Sequence, residues 1–187
     1  MKQRLMCRYL SLVAFSLLSA WPAAALDLPA RKPGLWQKTM KYEGAGSPSP
    51  PQISQQCIDA ATDKEMNAYS STMSREMCSK QDTQKVGEKI IVDGTCQIGA
   101  MSMTTHAEYS GSFDSAFTIN TDAITTGGPA PINGKSNTIT EAKWMGPCKP
   151  DQEPGDIIMP VGNKPGGTMK INIRDVMKRV PAGNLGR

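Results

Sequence analysis

The chain has 187 residues with 21 Lys plus Arg, 17 Asp plus Glu, one His and five Cys, a formal charge of +4. Three of the bases, Lys2, Arg4 and Arg8, fall in the first 25 residues, and the remainder is nearly neutral at 18 basic against 17 acidic side chains. That balance excludes the strong basic footprint of a general nucleic-acid binder, and the length suits one domain with a tail.

Met1 to Arg8 is short and basic, Tyr9 to Trp21 is apolar, and Pro22 followed by Ala23, Ala24 and Ala25 supplies small residues at a cleavage point. Those three parts in that order predict a secretory signal peptide over residues 1–25, cleaved after Ala25. The apolar run is too short to span a bilayer comfortably. No later stretch reaches 18 consecutive apolar residues, so no membrane span is expected in a periplasmic or secreted mature chain.

Loss of Cys7 with the signal leaves Cys57, Cys78, Cys96 and Cys148, an even number that in an exported chain predicts two disulfides. Four cysteines allow three pairings, and hairpin arithmetic favours one. A three-residue loop at Val86-Gly87-Glu88 pairs residues whose numbers sum to about 174, which sets Cys78 opposite Cys96 and leaves Cys57 with Cys148. In the chain-entropy model the shorter loop contributes about 3 kcal/mol and the longer about 4 to 5. No C-x-x-C or neighbouring His spacing supports zinc.

Leu35 to Tyr42 reads as a strand opened by Pro33-Gly34, and Gln52 to Ile58 as a second, shorter one beyond a Gly/Ser/Pro loop. Thr62 and Glu65 fit a capping box that starts a brief helix carrying Met66, Tyr69 and Met73. Beyond Cys78 the period falls to two. Met101, Met103, Ala107 and Tyr109 share one face of a strand, while Ser102, Thr104, His106 and Glu108 share the other. Phe113, Phe117 and Ile119 continue the apolar face, Thr125 to Gly134 is a Gly/Pro loop, and Lys135 to Met145 returns as a strand ending in Trp144. The prediction is a mainly β domain over residues 26–148. It is an antiparallel meander sheet, curled or partly closed like a barrel, with one short α-helix and two disulfides. Only seven aromatic residues remain after signal removal, so the core is thin.

From Gly146 the composition shifts to Pro and Gly, and residues 149–187 read as a loosely structured tail in which Met169 to Val180 forms at most one short element. Between Lys164 and Arg187 the bases far outnumber Asp175, which suggests weak contact with an anionic envelope surface.

With strands and cysteines placed, the chain resembles an exported bacterial family known as domain of unknown function 3617. The resemblance is carried by Lys32-Pro33-Gly34-Leu35-Trp36, by Cys57 before the capped helix, by Cys78 and Cys96 at the ends of a hairpin, by Met101-Ser102-Met103-Thr104-Thr105, and by the closing Cys148. Gln37 stands where an acidic residue is usual. The resemblance implies a secreted or periplasmic antiparallel β domain and brings no activity, cofactor or catalytic residue with it.

Catalytic chemistry is sparse. His106, the single mature-chain histidine, would need a nucleophile and an orienting carboxylate within reach; Glu108, Ser102 and Thr104 share its face, which is the pattern for a hydrolase alternative. Gly134-Lys135-Ser136 lacks the first glycine of a phosphate loop, since Pro129 stands there. Met101 and Met103 on one strand face are the pattern of a thioether copper carrier, with His106 facing away; the same pair also serves as flexible core filling. The reading is a non-enzymatic exported domain, an envelope accessory or binding module, with no cofactor or metal expected. The alternatives are a Met-based copper carrier and a small-molecule or lipid-binding protein in which Trp36, Tyr42, Met101, Met103, Tyr109 and Trp144 line a concavity or fill a core.

Overall fold

The computed structural model describes residues 28–44, 50–161 and 167–180. The expected signal peptide and the end of the tail lie outside the described residues. In chain order the elements are β1 (Gly34–Gly44), β2 (Gln52–Ile58), α1 (Ala60–Met77), β3 (Cys78–Val86), β4 (Lys89–Ile98), β5 (Met101–Ser112), β6 (Ala116–Thr126), one 3-10 turn (Ala130–Ile132), β7 (Gly134–Gly146), β8 (Asp156–Pro160), β9 (Thr168–Asn172) and α2 (Ile173–Arg179). All nine strands form one antiparallel sheet in the order β3-β4-β5-β6-β7-β1-β2-β8-β9. It does not close, and β3 and β9 are its edges.

Both predicted disulfides form, Cys57–Cys148 and Cys78–Cys96. The hairpin reaches its cysteine pair by a different route from the three-residue loop. Val86 pairs with Lys89, so the loop is Gly87-Glu88 alone, and the register sum along most of the hairpin is one higher. Gly87 has φ +63°, the conformation that a type II′ turn places at its first loop residue. A bulge between Cys78 and Lys80 then absorbs one residue, Ser79, and restores Cys78 opposite Cys96.

The helix differs from the brief one expected at Thr62. α1 has 18 residues, and its N-cap is Asp59, whose Oδ1 accepts from the Thr62 amide at 2.7 Å. Glu65 does not reach back to a cap; it pairs with Arg174 of α2 at 2.7 Å. The run Ser70-Ser71-Thr72 lies inside the helix without ending it, since the Thr72 hydroxyl donates to the Ala68 carbonyl one turn back. The strand pairs that flank the helix fix both its ends, and Cys78 follows it immediately. α1 connects β2 to the far edge β3, touching β2 near its start and β3 and β4 near its end. About 1.5 Å per residue gives it some 27 Å, enough to bridge most of the sheet's width.

The core sits under the first half of α1. Trp36, fully buried, packs with Ile58, Phe117 and Ala142, flanked by Met66, Phe113, Ile119 and Trp144. Phe113 lies in the β5–β6 loop and not on the strand, yet its ring stacks on Phe117 with centroids 4.5 Å apart. The Lys32 to Trp36 opening is a junction between two tryptophans. Trp36 Nε1 donates to the Lys32 carbonyl at 2.8 Å, Trp144 Nε1 donates to the Pro33 carbonyl at 3.0 Å, and the Lys32 ammonium lies 3.7 Å from the Trp144 ring centroid. Gly34 (φ +133°) admits no side chain, because a Cβ would collide with the Gly146 carbonyl and the Trp144 indole nitrogen.

The tail is not loose over its described residues: β8, β9 and α2 extend the sheet beyond β2. The expectation was built on proline count, and Pro147, Pro150 and Pro154 fall between β7 and β8, where they interrupt no strand. Asp156 supplies the anchor. Its buried carboxylate accepts from the Glu153 amide (2.9 Å) and Asn172 Nδ2 (3.0 Å), and pairs with Lys170 (2.8 Å). Tyr69 on α1 donates its hydroxyl to the Val180 carbonyl at 2.7 Å. Among the tail's described cations, Lys170 and Arg174 are thus engaged by the protein's own carboxylates, which weakens the anionic-surface reading for this part of the tail.

Candidate functional site

Strand register sorts every side chain onto one of two faces. Trp36, Lys38, Met40 and Tyr42 of β1 share the α1 side with Trp144, Phe117, Tyr109, Met103 and Met101, as the cross-strand pairs require. All six residues predicted to face a concavity or core therefore lie on one face. The structure separates them along it. Trp36 and Trp144 belong to the packed end, and Tyr109 lies between the two ends, its hydroxyl pKa raised by burial. Tyr42, Met101 and Met103 line an open groove of about 330 Å³ at the other end.

Ile98, Thr105, Thr121, Ala123, Thr125, Ser136 and Thr138 complete the sheet's share of that groove. Its lining comes from five successive strands, β4 through β7 and β1, so the sheet curves around it. Ile132 closes one side from the β6–β7 connection. There the Asn133 side chain accepts from the Gly128 amide at 2.9 Å and donates back to its carbonyl, pinching the loop so that Ile132 sits beside Met101 and Gly128. No lining residue carries a charge, while threonine and serine hydroxyls run along the floor. Ile98 at the end of β4 and Ile132 from the β6–β7 connection both line the groove and are 45% and 42% exposed. Sequence reasoning named Tyr42, Met101 and Met103 and missed Ile98 and Ile132. Parity along β4 was the available signal for Ile98; Ile132 reaches the groove through a loop, where periodicity carries no information.

The opposite face is polar. A depression of about 440 Å³ there is lined by Gln37, Thr39, Ser110, Thr118, Glu141 and Lys143 among others, and its charged members stand in water. His106 lies on this face, 46% exposed. Its Nδ1 is 2.7 Å from Asp93 Oδ1 and its Nε2 is 3.6 Å from Glu108, which itself pairs with Lys89 at 2.6 Å. The Asp93 hydrogen bond, helped by Glu108, raises the imidazole pKa. The hydrolase pattern needs a hydroxyl beside the ring, and Ser102 and Thr104 are not among its partners, which are both carboxylates. Among the described residues no group of three His, Cys, Asp or Glu side chains is placed to hold a metal. The Met101 sulfur packs against the Gly128–Ile132 loop, and Trp144 lies at the other end of the face against Trp36.

The molecule is an open, disulfide-tied antiparallel sheet bridged by a helix, with a packed end and an apolar groove on the same face. A family model described as "Protein of unknown function (DUF3617)" matches residues 31–148, well over half of the chain, and the protein belongs to that family. The matched region holds both disulfides and every groove residue and stops before β8. No curated protein and no solved structure matches the chain.

Proposed function

We propose that this is a non-enzymatic exported binding module that holds an apolar small molecule or acyl chain in the groove beneath Ile98 and Ile132. The observation that carries the reading is an uncharged, open groove lined by Tyr42, Ile98, Met101, Met103, Ala123 and Ile132, of a size within the range of small-ligand sites. Its methionines suit a ligand of variable shape, since unbranched thioethers repack at little cost. The two disulfides and the basic, apolar and small-residue segments of the first 25 residues support the exported location.

The test uses Nile red, an uncharged dye whose emission rises and shifts to the blue in apolar surroundings. Wild-type mature protein is expected to bind it, and Ala123→Trp, which fills the groove floor, is expected to weaken binding about tenfold or more with the circular dichroism spectrum unchanged. Ile124→Ser, on the opposite face, should leave binding as it was. Equal binding by Ala123→Trp and wild type would sink the reading.

A further inference from the structure

Among the described residues, no strand pairs with the outer edge of β3, and Lys80, Gln81 and Asp82 there are exposed. The hairpin fixes which way the backbone of β3 points. Val86 and Lys89 flank a two-residue turn and exchange hydrogen bonds, and alternation gives Gln84, Asp82 and Lys80 the same inward role toward β4. Gln81, Thr83 and Lys85 therefore aim their N–H and C=O groups at the open edge. The side chains add a charge pattern. Lys80 and Asp82 lie two residues apart on the polar face, and among the described residues neither side chain has an ion pair or hydrogen bond. Asp82 instead faces Asp93 across the hairpin, a like-charge pair that leaves its carboxylate short of a cation.

We propose that β3 pairs antiparallel with β3 of a second copy of this chain, about a two-fold axis at Gln81. In that register Gln81 exchanges backbone bonds with its own copy, and Lys80 stands opposite Asp82 on each side of the axis. Both Lys80–Asp82 pairs fall at non-hydrogen-bonded positions, where side chains come closest. Neighbouring registers lack the match. Centring on Asp82 sets that carboxylate against itself, and centring on Thr83 sets Asp82 opposite Gln84 and Lys80 opposite Val86. Lysine on an edge ordinarily repels a second strand. Here an aspartate two residues on makes the edge complementary to itself. The axis stands perpendicular to the sheet, so the α1 sides of both copies, with their grooves, face the same way. The interface stands independently of the groove reading. One short strand per copy is a small contact beside the roughly 1,600 Å² of a stable complex, so the dimer is weak and concentration-dependent.

The experiment is sedimentation equilibrium of the mature, disulfide-intact protein. Wild type is expected to pass from monomer to dimer between about 10 μM and 1 mM. Lys80→Asp sets two like-charge pairs across the axis and should weaken dimerisation about tenfold or more, and Asp82→Lys should do the same. The double variant Lys80→Asp/Asp82→Lys restores both pairs with their signs exchanged and should dimerise within about threefold of wild type. That recovery separates a lost interface from a damaged fold. Wild type that stays monomeric throughout, single variants that dimerise as wild type does, or a double variant no better than the singles overturns the proposal.

Discussion

Lys38 of β1, between Ser54 of β2 and Ala142 of β7, carries a pH-dependent stability signature. Its folded pKa, about 8 against an ordinary 10.5, means the unfolded chain binds more protons between those values. Stability therefore rises with pH across that window; the cost of the charged amine is fully present below about pH 8 and relieved as pH approaches 10.5. Its upper size is about 3 kcal/mol. Lys38→Met should raise the thermal midpoint at pH 7, with the advantage shrinking toward pH 10.5; an advantage independent of pH would assign the gain to packing alone. His106 titrates in the opposite sense. Its raised pKa gives a contribution present in full below its ordinary 6.5 and lost as pH climbs through the folded value. NMR titration should place its midpoint above 6.5, and Asp93→Asn should bring it down; an unmoved midpoint would show that the 2.7 Å contact does not persist in solution.

At the scale of elements, one buried carboxylate, Asp156, ties β8 to β9 and to the start of α2. Burial alone would raise the Asp156 pKa, but hydrogen bonds from the Glu153 amide, Lys170 and Asn172 outweigh it and the pKa is lowered. The stabilisation is therefore present above the ordinary 3.8 and lost as pH falls through the folded value. Asp156→Ala should open β9 and α2 by about 1–3 kcal/mol, the cost of leaving several donors unsatisfied. Hydrogen exchange would show this as faster exchange in Thr168–Asn172 with β4 to β7 unaffected, because the meander shares none of these bonds. Loss of protection spread evenly over the sheet would mean that the tail folds as one unit with the domain.

For the molecule as a whole, the two disulfides differ in what they enclose. Cys57–Cys148 spans 91 residues and joins a fully buried position on β2 to the segment after β7, whereas Cys78–Cys96 spans 18 and staples one hairpin. Chain entropy assigns about 4–5 kcal/mol to the first and about 3 to the second. Urea unfolding of Cys57→Ala/Cys148→Ala should show a larger loss than Cys78→Ala/Cys96→Ala. The reverse order would mean that the hairpin staple, which anchors the end of α1, holds the helix across the sheet.

Residues alone sufficed for the features that depend on local pattern. Period-two alternation placed β5 and the shared face of Tyr42, Met101 and Met103. Cysteine number and hairpin spacing paired the sulfurs, although the real loop is one residue shorter and a bulge makes up the difference. Proline count, by contrast, misjudged the tail, because Asp156 meets Asn172 and Lys170 only once the chain has folded back, and no window along the sequence holds all three. Asp59 and Thr62 both carry N-cap chemistry, and only the helix's path from β2 decides which is used. The division of one face into a packed end and a groove was likewise settled in three dimensions. α1 and the two tryptophans cover one end, while a pinched loop brings Ile132 to the other. Alternation tells which way a side chain points; what meets it there depends on contacts between residues far apart in the chain.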